Sequence, residues 1–127
     1  MMHSRFDFAG ADVVVVGASR AGIGAAIARA FQDAGAGVEI TGAEPEPAPQ
    51  DAGRFGYSQL DVTDGAAVRD FAARKGKVDV LVNCAAITAR GEEMAPDFFA
   101  HVVNVNLHGT FRTVSYTHLT LPTNREV

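Results

Sequence analysis

The sequence predicts an α/β fold built on a doubly wound parallel sheet, and two observations support this prediction. The first is an apolar run at residues 13–16 that passes through a glycine-rich turn directly into an amphipathic helix. The second is the continued alternation of short apolar segments with crossover segments along the chain. Strands that alternate with crossovers form parallel sheets with right-handed connections. We therefore expect neighbouring strands in the order 3-2-1-4.

The three glycines of the turn have separate tasks. Gly17 lets the chain leave the strand tightly, Gly22 removes a Cβ where a pyrophosphate would press, and Gly24 lets the helix approach the sheet. Backbone N–H groups and the positive end of a helix dipole then converge on one point, which attracts phosphate. A purely structural glycine turn is the alternative. The strand before the turn and the helix after it favour a dinucleotide cofactor.

The remaining elements follow from apolar periodicity and from turn residues. The first helix presents an apolar stripe that ends at Gly35, made of Ile23, Ile27, Ala30, Phe31 and Ala34. Further strands are predicted at 37–42, 54–60 and 78–83, the last of them apolar enough to be buried on both faces. Two more helices are predicted, one from a cap at Thr63 or Asp64 to about Lys75, the other from about Ala95 to Thr113.

Two features refine these elements. Residues 43–50 carry proline at every second position from Pro45 to Pro49, so this crossover is predicted to be an extended, exposed loop. In the second helix, Val68, Phe71 and Ala72 should face inward.

Composition excludes several classes of function. The 127 residues carry a net charge of -4, and their 11 basic residues are scattered, which argues against a nucleic-acid surface. No apolar run approaches the roughly 20 residues that cross a bilayer, and no signal region follows the start. The single cysteine, Cys84, excludes an internal disulfide and suits a cytoplasmic location. We predict no membrane association and no metal site.

Ligands of doubly wound sheets bind outside the carboxyl ends of the strands. Residues of chemical interest fall at four such ends: the glycine turn, Gly42 with Ala43, Asp61, and Asn83. Their convergence at one edge of the sheet is stronger support for a binding site than any one of them.

Four motifs together resemble those of the short-chain dehydrogenase/reductase family. They occur in the family's order, from about residue 7 to residue 114, and they are Gly17-Ala18-Ser19-Arg20-Ala21-Gly22-Ile23-Gly24, Asp61-Val62, Asn83-Cys84-Ala85-Ala86 and Asn104-Val105-Asn106-Leu107-His108-Gly109. The resemblance implies a Rossmann-type fold and an NAD(P)-dependent oxidoreductase that passes hydride between the nicotinamide and a small carbonyl or alcohol substrate. It also implies that residues 1–114 are a truncated, cofactor-binding portion of that fold.

The resemblance also implies a role for each matching residue. Asp61 would accept a hydrogen bond from the adenine amino group, and Val62 would supply a backbone contact. Asn83 and Ala85 would line the adenosine ribose side and brace the sheet. Asn106 would be the catalytic asparagine, whose main chain holds a water of the proton relay. The glycine-turn residues that would bind the cofactor are Gly17, Ser19, Arg20, Gly22, Ile23 and Gly24.

Simpler roles remain open for three of these residues. Asp61 can cap the following helix, and Asn83 can tie down a turn. Asn106 lies within a helix, where asparagine is a poor helix former, so it either marks a special local geometry or faces solvent.

The chain departs from the family pattern in the phosphate loop and in the catalytic residues. Ala21 is an extra residue between Gly17 and Gly22, which predicts a reshaped loop, and Ala86 stands where the family more often has glycine. The family's catalytic serine and Tyr-x-x-x-Lys motif are absent. The only tyrosines, Tyr57 and Tyr116, are followed four residues later by aspartate and threonine.

The end of the chain also departs from the pattern. Residues 115–127 read as a tail foreign to the family, either translated from extraneous joined DNA or disordered; an ordinary divergent terminus is the alternative. On this interpretation the chain carries the cofactor half of an enzyme and is inactive alone. A non-catalytic nucleotide-binding or regulatory module is the alternative function, and the downstream reading frame would separate the two.

Cofactor choice rests on three residues. An acidic residue at the end of the second strand favours NAD, but Gly42 occupies that place. Arg20 in the glycine turn can meet a 2′-phosphate, whereas Glu44 opposes it. NADP is therefore slightly favoured over NAD.

The last helix predicts an association surface. Its apolar residues occupy two sides, with Phe98, Val102 and Val105 on one and Phe99, Val103 and Thr110 nearer the other. Because a helix with two apolar faces must bury both, we expect a homo-oligomer, a dimer or a tetramer, or burial by further chain.

Overall fold

The computed structural model describes residues 5–88, 90–92 and 94–120, with side chains up to residue 116. The strands are β1 (Asp12–Val16), β2 (Gly37–Gly42), β3 (Gly56–Gln59) and β4 (Val80–Asn83). The helices are α1 (Ile23–Asp33), α2 (Gly65–Lys75), α3 (Pro96–Val103) and α4 (Thr110–Thr120), and a π-helical segment, Asn104–Gly109, joins α3 to α4. All strand pairs are parallel and the order is β3-β2-β1-β4, so the predicted fold class and strand order are confirmed.

Strand β1 lies at the centre of the fold. Its residues Val13–Val16 are at most 1% exposed. One face of β1 packs with Ile40 and Ala28, and the other packs with Val62 and Val105. A strand covered on both faces must be apolar at every position, which explains the unbroken valine run.

Helix α1 buries the predicted apolar stripe only in part: Ile27 and Phe31 pack half-buried against the core, while smaller residues beside them are the most buried. Its buried residues are Gly24, Ala25 and Ala28, whereas Ile23 is 78% exposed. Small side chains on the sheet-facing side let α1 lie close to β1, so the larger residues of the predicted stripe move to its flank or to solvent. The end of the helix is as predicted: Gly35 has φ +97° and follows the last turn.

Two predicted strands are shorter than expected. Strand β3 starts at Gly56 rather than residue 54, because the Arg54 N–H bonds to the Asp51 carbonyl in a turn. Strand β4 starts at Val80 rather than residue 78, since the Asp79 carboxylate accepts the Asp12 N–H at 2.8 Å. The predicted bounds of β2 are confirmed.

The prediction that β4 is buried on both faces is confirmed only in part: Val80 and Val82 pack against one core cluster and Leu81 against the other, but burial is incomplete. All of its residues are half-buried. Among the described residues β4 is an outer strand of the sheet, paired with β1 alone, so its apolar side chains lack the cover that β1 receives.

The proline-rich crossover has no helix in the described residues 43–55, as predicted, but it forms bends and turns and not the extended path that was predicted. It is attached to the glycine turn, since the Ala48 N–H donates to the Ser19 carbonyl at 2.7 Å. Asp51 is 1% exposed and pairs with Arg29 of α1 at 3.3 Å. These two contacts hold a helix-free connection against the carboxyl end of the sheet.

Helix α2 matches its prediction. Its N-cap is Asp64, and Val68 and Ala72 are buried, with Phe71 half-buried beside them. No described helix is both long enough and apolar enough to cross a membrane.

The predicted single helix from about Ala95 to Thr113 is instead three segments that end at Thr120. The π-helical segment lies where Asn106 indicated special local geometry, and a wide turn there frees main-chain carbonyls from the regular α ladder. Helix α4 crosses the predicted boundary at residue 114. The rest of the predicted tail, residues 121–127, lies outside the described residues.

We predict that Asp64→Ala lowers the free energy of unfolding by about 1 kcal/mol. The Asp64 carboxylate accepts the Ala67 N–H at 3.1 Å, and alanine leaves that N–H without its cap. Urea unfolding of both variants measures the difference. Asp70→Ala, an exposed aspartate later in α2, is the control and should change stability by less than about 0.5 kcal/mol. Equal effects of the two substitutions would contradict the capping role.

Candidate functional site

A cleft of about 520 Å³ opens at the carboxyl ends of the strands. Its walls come from the glycine turn, from the ends of β2 and β3, from the segment after β4, and from α3 and the π-helical segment. The predicted convergence of four strand ends is therefore present, except that Cys84 to Ala86, rather than Asn83, represent β4 in the wall. A cleft of this size is in the range that holds a small ligand or cofactor.

Two glycines of the turn are required by the protein itself. Gly17 has φ +87°, and a Cβ there would lie 2.3 Å from the Ala85 nitrogen. A Cβ on Gly24 would lie 2.5 Å from the Gly17 carbonyl oxygen. These two positions bring the glycine turn, the start of α1 and the segment after β4 together.

Gly22 differs, because no packing among the described residues requires it. Its φ of 167° is extended backbone that any residue adopts, and within the described part of the chain a Cβ would meet only the Arg20 carbonyl, at 4.0 Å. The added atom would stand in the wall of the cleft. The space above Gly22 is thus open on the ligand side.

Helix α1 begins in the same wall. Its N-cap, Gly22, supplies no side-chain cap, and no acidic residue lies in its first turn. The first N–H groups of a helix have no intrahelical partner and carry partial positive charge. Ile23, although apolar, is 78% exposed and lines the cleft beside them.

A polar cluster, Ser19, Arg20 and Glu44, forms one end of the cleft. The buried Ser19 hydroxyl donates to the Glu44 carboxylate, and the Arg20 Nε lies 2.6 Å from its other oxygen. The hydrogen bond from Ser19, aided by Arg20, lowers the pKa of Glu44 below its ordinary value. Glu44 is therefore ionised at neutral pH and offsets the charge of Arg20.

The end of β2 has no room for an acidic side chain. A Cβ on Gly42 would lie 2.2 Å from both Cβ and Oγ of Ser19. The carboxylate next to this strand end is consequently supplied from two residues further along, by Glu44. Tyr57 of β3 lies behind this turn, and its hydroxyl donates to the main-chain carbonyl of Glu44 at 2.5 Å.

Asp61 and Val62 line the middle of the cleft. One oxygen of Asp61, Oδ1, accepts the Thr63 hydroxyl at 2.7 Å and the Thr63 N–H at 2.9 Å. These bonds, the hydroxyl first, lower the pKa of Asp61, so its exposed carboxylate stays ionised. The Val62 carbonyl accepts from Arg112 at 3.0 Å, so this carbonyl is engaged within the protein.

Two predicted site residues do not line the cleft. The Asn83 Oδ1 accepts the Thr113 hydroxyl at 2.6 Å and so ties β4 to α4, while Ala85 lines the cleft as expected. The Asn106 side chain makes two bonds to the main chain of Ile87, at 2.8 Å and 3.0 Å. Its position in the π-helical segment and these bonds fix the segment after β4 against α3 and α4.

Sequence reasoning missed several lining residues. Leu60 and Ile87 adjoin predicted motifs, so their place at strand ends was a usable signal. His101 and Val105 come from α3 and the π-helical segment, and only the packing of these against the sheet brings them to the cleft. Glu44 entered the sequence argument only as an opponent of NADP.

Comparison of the chain with known proteins identifies a family that it matches. A family model described as short chain dehydrogenase matches residues 11–123. The chain is 33% identical, over 119 residues, to a 3-oxoacyl-[acyl-carrier-protein] reductase FabG of Chlamydia pneumoniae, covering 84% of this chain and 48% of the relative. It is 35% identical, over 121 residues, to a D-threitol dehydrogenase of Mycolicibacterium smegmatis, covering 84% and 46%.

A solved structure shares the fold at similar coverage. The Pseudomonas aeruginosa RhlG/NADP active-site complex superposes with a TM-score of 0.78 at 27% identity, covering 95% of this chain and 49% of that one. The chain thus spans about half the length of the proteins that it matches. With the family model matched over most of its length, the chain belongs to the short-chain dehydrogenase family.

Proposed function

We propose that this chain is the cofactor-binding half of an NAD(P)-dependent oxidoreductase that acts on a small carbonyl or alcohol. Its relatives include proteins named as a reductase and as a dehydrogenase. The observation that carries the proposal is the combination of an uncapped α1 N-terminus with the open space above Gly22, both in the cleft wall.

The donor set of the cleft fits a dinucleotide. The first N–H groups of α1 and the turn at Gly22 would hold the pyrophosphate, because they offer unpaired donors where no side chain intrudes. The Asp61 carboxylate, with the Val62 N–H beside it, would hold the adenine. Ser19, Arg20 and Glu44 would meet the adenosine ribose. The bound nicotinamide supplies or accepts the hydride.

We propose NADP as the slightly preferred cofactor. The Arg20 side chain is 81% exposed, so a 2′-phosphate can reach it from the cleft. Glu44 competes for the same guanidinium, so a 2′-phosphate would have to displace its carboxylate from Arg20. A neighbouring structure is described as an NADP complex.

Catalysis is proposed to need residues outside this sequence. Within the 127 residues no Tyr-x-x-x-Lys motif occurs, and the lysines are Lys75 and Lys77. Asn106 is proposed as the member of the catalytic set that this half contributes, holding the segment after β4 and a relay water. We also propose a cytoplasmic location. The proposal is supported by the presence of a single thiol, Cys84, in the 127 residues.

Self-association through α3 and α4 is a further proposal. Phe99 and Phe111 are 61% and 71% exposed, and Leu107 and Val114 also present apolar surface. Such side chains on neighbouring helices favour a second copy, or further chain, that covers them.

We expect Gly22→Ala to weaken binding of NAD and NADP on the order of tenfold while leaving the melting temperature almost unchanged, because its Cβ would enter the phosphate region and nothing else. Calorimetric titration and thermal unfolding measure the two effects. Gly37→Ala is the control: its Cβ would meet ordinary contacts at 3.8 Å, at the far end of β2. Unchanged affinity in Gly22→Ala would contradict the pyrophosphate assignment.

We expect Glu44→Gln to raise NADP affinity on the order of tenfold, with a smaller effect on NAD, because it removes the charge that offsets Arg20. Parallel titrations with both nucleotides give the two dissociation constants. Glu46→Gln removes a nearby exposed carboxylate from the same loop and should leave both constants unchanged. If the two variants gained NADP affinity equally, Glu44 would have no specific place beside the 2′ position.

We expect no carbonyl reduction by the 127-residue chain with either NADH or NADPH. Its sequence contains no Tyr-x-x-x-Lys motif to transfer the substrate proton. A spectrophotometric assay at 340 nm over a panel of ketones measures it. The matched control is a protein expressed from a reading frame extended to include a serine and a Tyr-x-x-x-Lys motif. Turnover by the 127-residue chain would refute the proposal that catalysis needs residues outside it.

A further inference from the structure

Tyr57 belongs to β3, the strand that pairs with β2, and it lies next to the polar cluster of Ser19, Arg20 and Glu44. Its ring packs against the core formed by Ile40 and Phe55. Its hydroxyl lies 2.5 Å from the Glu44 carbonyl oxygen and 3.2 Å from the Gly42 carbonyl oxygen. The hydroxyl is thus within hydrogen-bond distance of the carbonyl of Gly42, the last residue of β2, and of the carbonyl two residues further along the turn.

This hydroxyl acts where the sheet no longer controls the chain. The ladder between β2 and β3 ends with Gly42, whose carbonyl accepts the Leu60 N–H at 2.7 Å. Beyond it, the Ala43 carbonyl is held by the Gln59 side chain at 2.8 Å, and the Glu44 carbonyl by Tyr57. Side chains of β3 therefore take over from strand pairing and set the path of the turn.

The path of the turn sets the place of the Glu44 carboxylate. With its main chain held by Tyr57, Glu44 reaches both the Ser19 hydroxyl and the Arg20 Nε. A shift of the main chain by an ångström would break at least one of these bonds, since hydrogen bonds weaken steeply with distance and angle. Burial first, and the nearby Glu44 charge second, raise the pKa of Tyr57, so its hydroxyl keeps its proton.

We propose that Tyr57 is a positioning residue for cofactor selection: it holds the turn after β2 so that Glu44 occupies Arg20 and limits access of a 2′-phosphate. Tyr57 does not line the cleft, so it acts through Glu44 and not by touching the ligand. This inference rests on the proposed NAD(P) function.

The test is the ratio of the dissociation constants of NADP and NAD in Tyr57→Phe, which keeps the ring and removes only the hydroxyl. We expect the ratio to fall at least about threefold, toward NADP, as Glu44 loses its fixed place beside Arg20. Ser58→Ala is the matched control, because it removes a 2.6 Å bond to Glu39 from the same strand, outside the cleft. The control should keep the wild-type ratio.

A double variant distinguishes the positioning of Glu44 by Tyr57 from a general loosening of the turn after β2. In a Glu44→Gln background, Tyr57→Phe should move the ratio no further, because the group through which it acts is already neutral. An unchanged ratio in the single variant, or an equal shift in both backgrounds, would overturn the inference. Wild-type protein that bound neither nucleotide would instead overturn the proposed function, and the inference with it.

A spectroscopic measurement covers the case in which Tyr57→Phe does not fold. Tyr57 and Tyr116 are the only tyrosines, so 3-fluorotyrosine in a Tyr116→Phe background reports on position 57 alone. Its ¹⁹F signal should shift in Glu44→Gln and on addition of NADP, and should stay in place in Ser58→Ala. A signal insensitive to both Glu44→Gln and NADP would overturn the coupling.

Discussion

The close approach of three main-chain segments at the carboxyl end of β1 is the constraint on which the rest of the structure depends. Gly17 lets the segment after β4 pass within a distance that no side chain would permit, and Gly24 lets α1 start directly above it. These contacts place the free N–H groups of α1 beside the ends of β2, β3 and β4. Without them the sheet would still have its valine core, but its edge would not form a cleft.

The end of the cleft around Ser19, Arg20 and Glu44 is built partly from a connection with no helix or strand in its described residues 43–55. A helix-free crossover of bends and turns is fastened by Asp51, by the Ala48 N–H and by side chains of β3. Because these fastenings are a few hydrogen bonds and one ion pair, the place of Glu44 depends on them and not on a packed core. Loops of this kind carry specificity on a rigid scaffold.

The sequence predicts the fold well because its strongest signals are local. The valine run, the glycine turn and the cap at Asp64 each determine structure within a few residues, and the parallel order follows from their alternation. The buried face of α1 was predicted only in part, since apolar periodicity favours large residues whereas the close approach to β1 selects Gly24, Ala25 and Ala28. The half-buried state of β4 depends on what covers the outer side of the sheet, which periodicity does not encode.

The main-chain part of the candidate site was more predictable from the sequence than its side-chain contacts. The glycine turn and Asp61 stand where the motifs put them. The cluster around Glu44 depends on contacts across 25 residues of sequence, from Ser19 to Glu44, for which no spacing rule exists. Asn83 and Asn106 were assigned by family resemblance, and their bonds to Thr113 and Ile87 show them fastening elements together.

The π-helical segment has a consequence for how this region can vary in length. A π turn holds one residue more than an α turn, and each residue of an α-helix turns the chain by about 100°. Loss of a single residue between Asn104 and Gly109 would therefore leave an α turn and keep α4 in phase, with Thr113 still beside Asn83 and Arg112 still beside Val62. A one-residue deletion within α3, by contrast, would rotate everything that follows by about 100°.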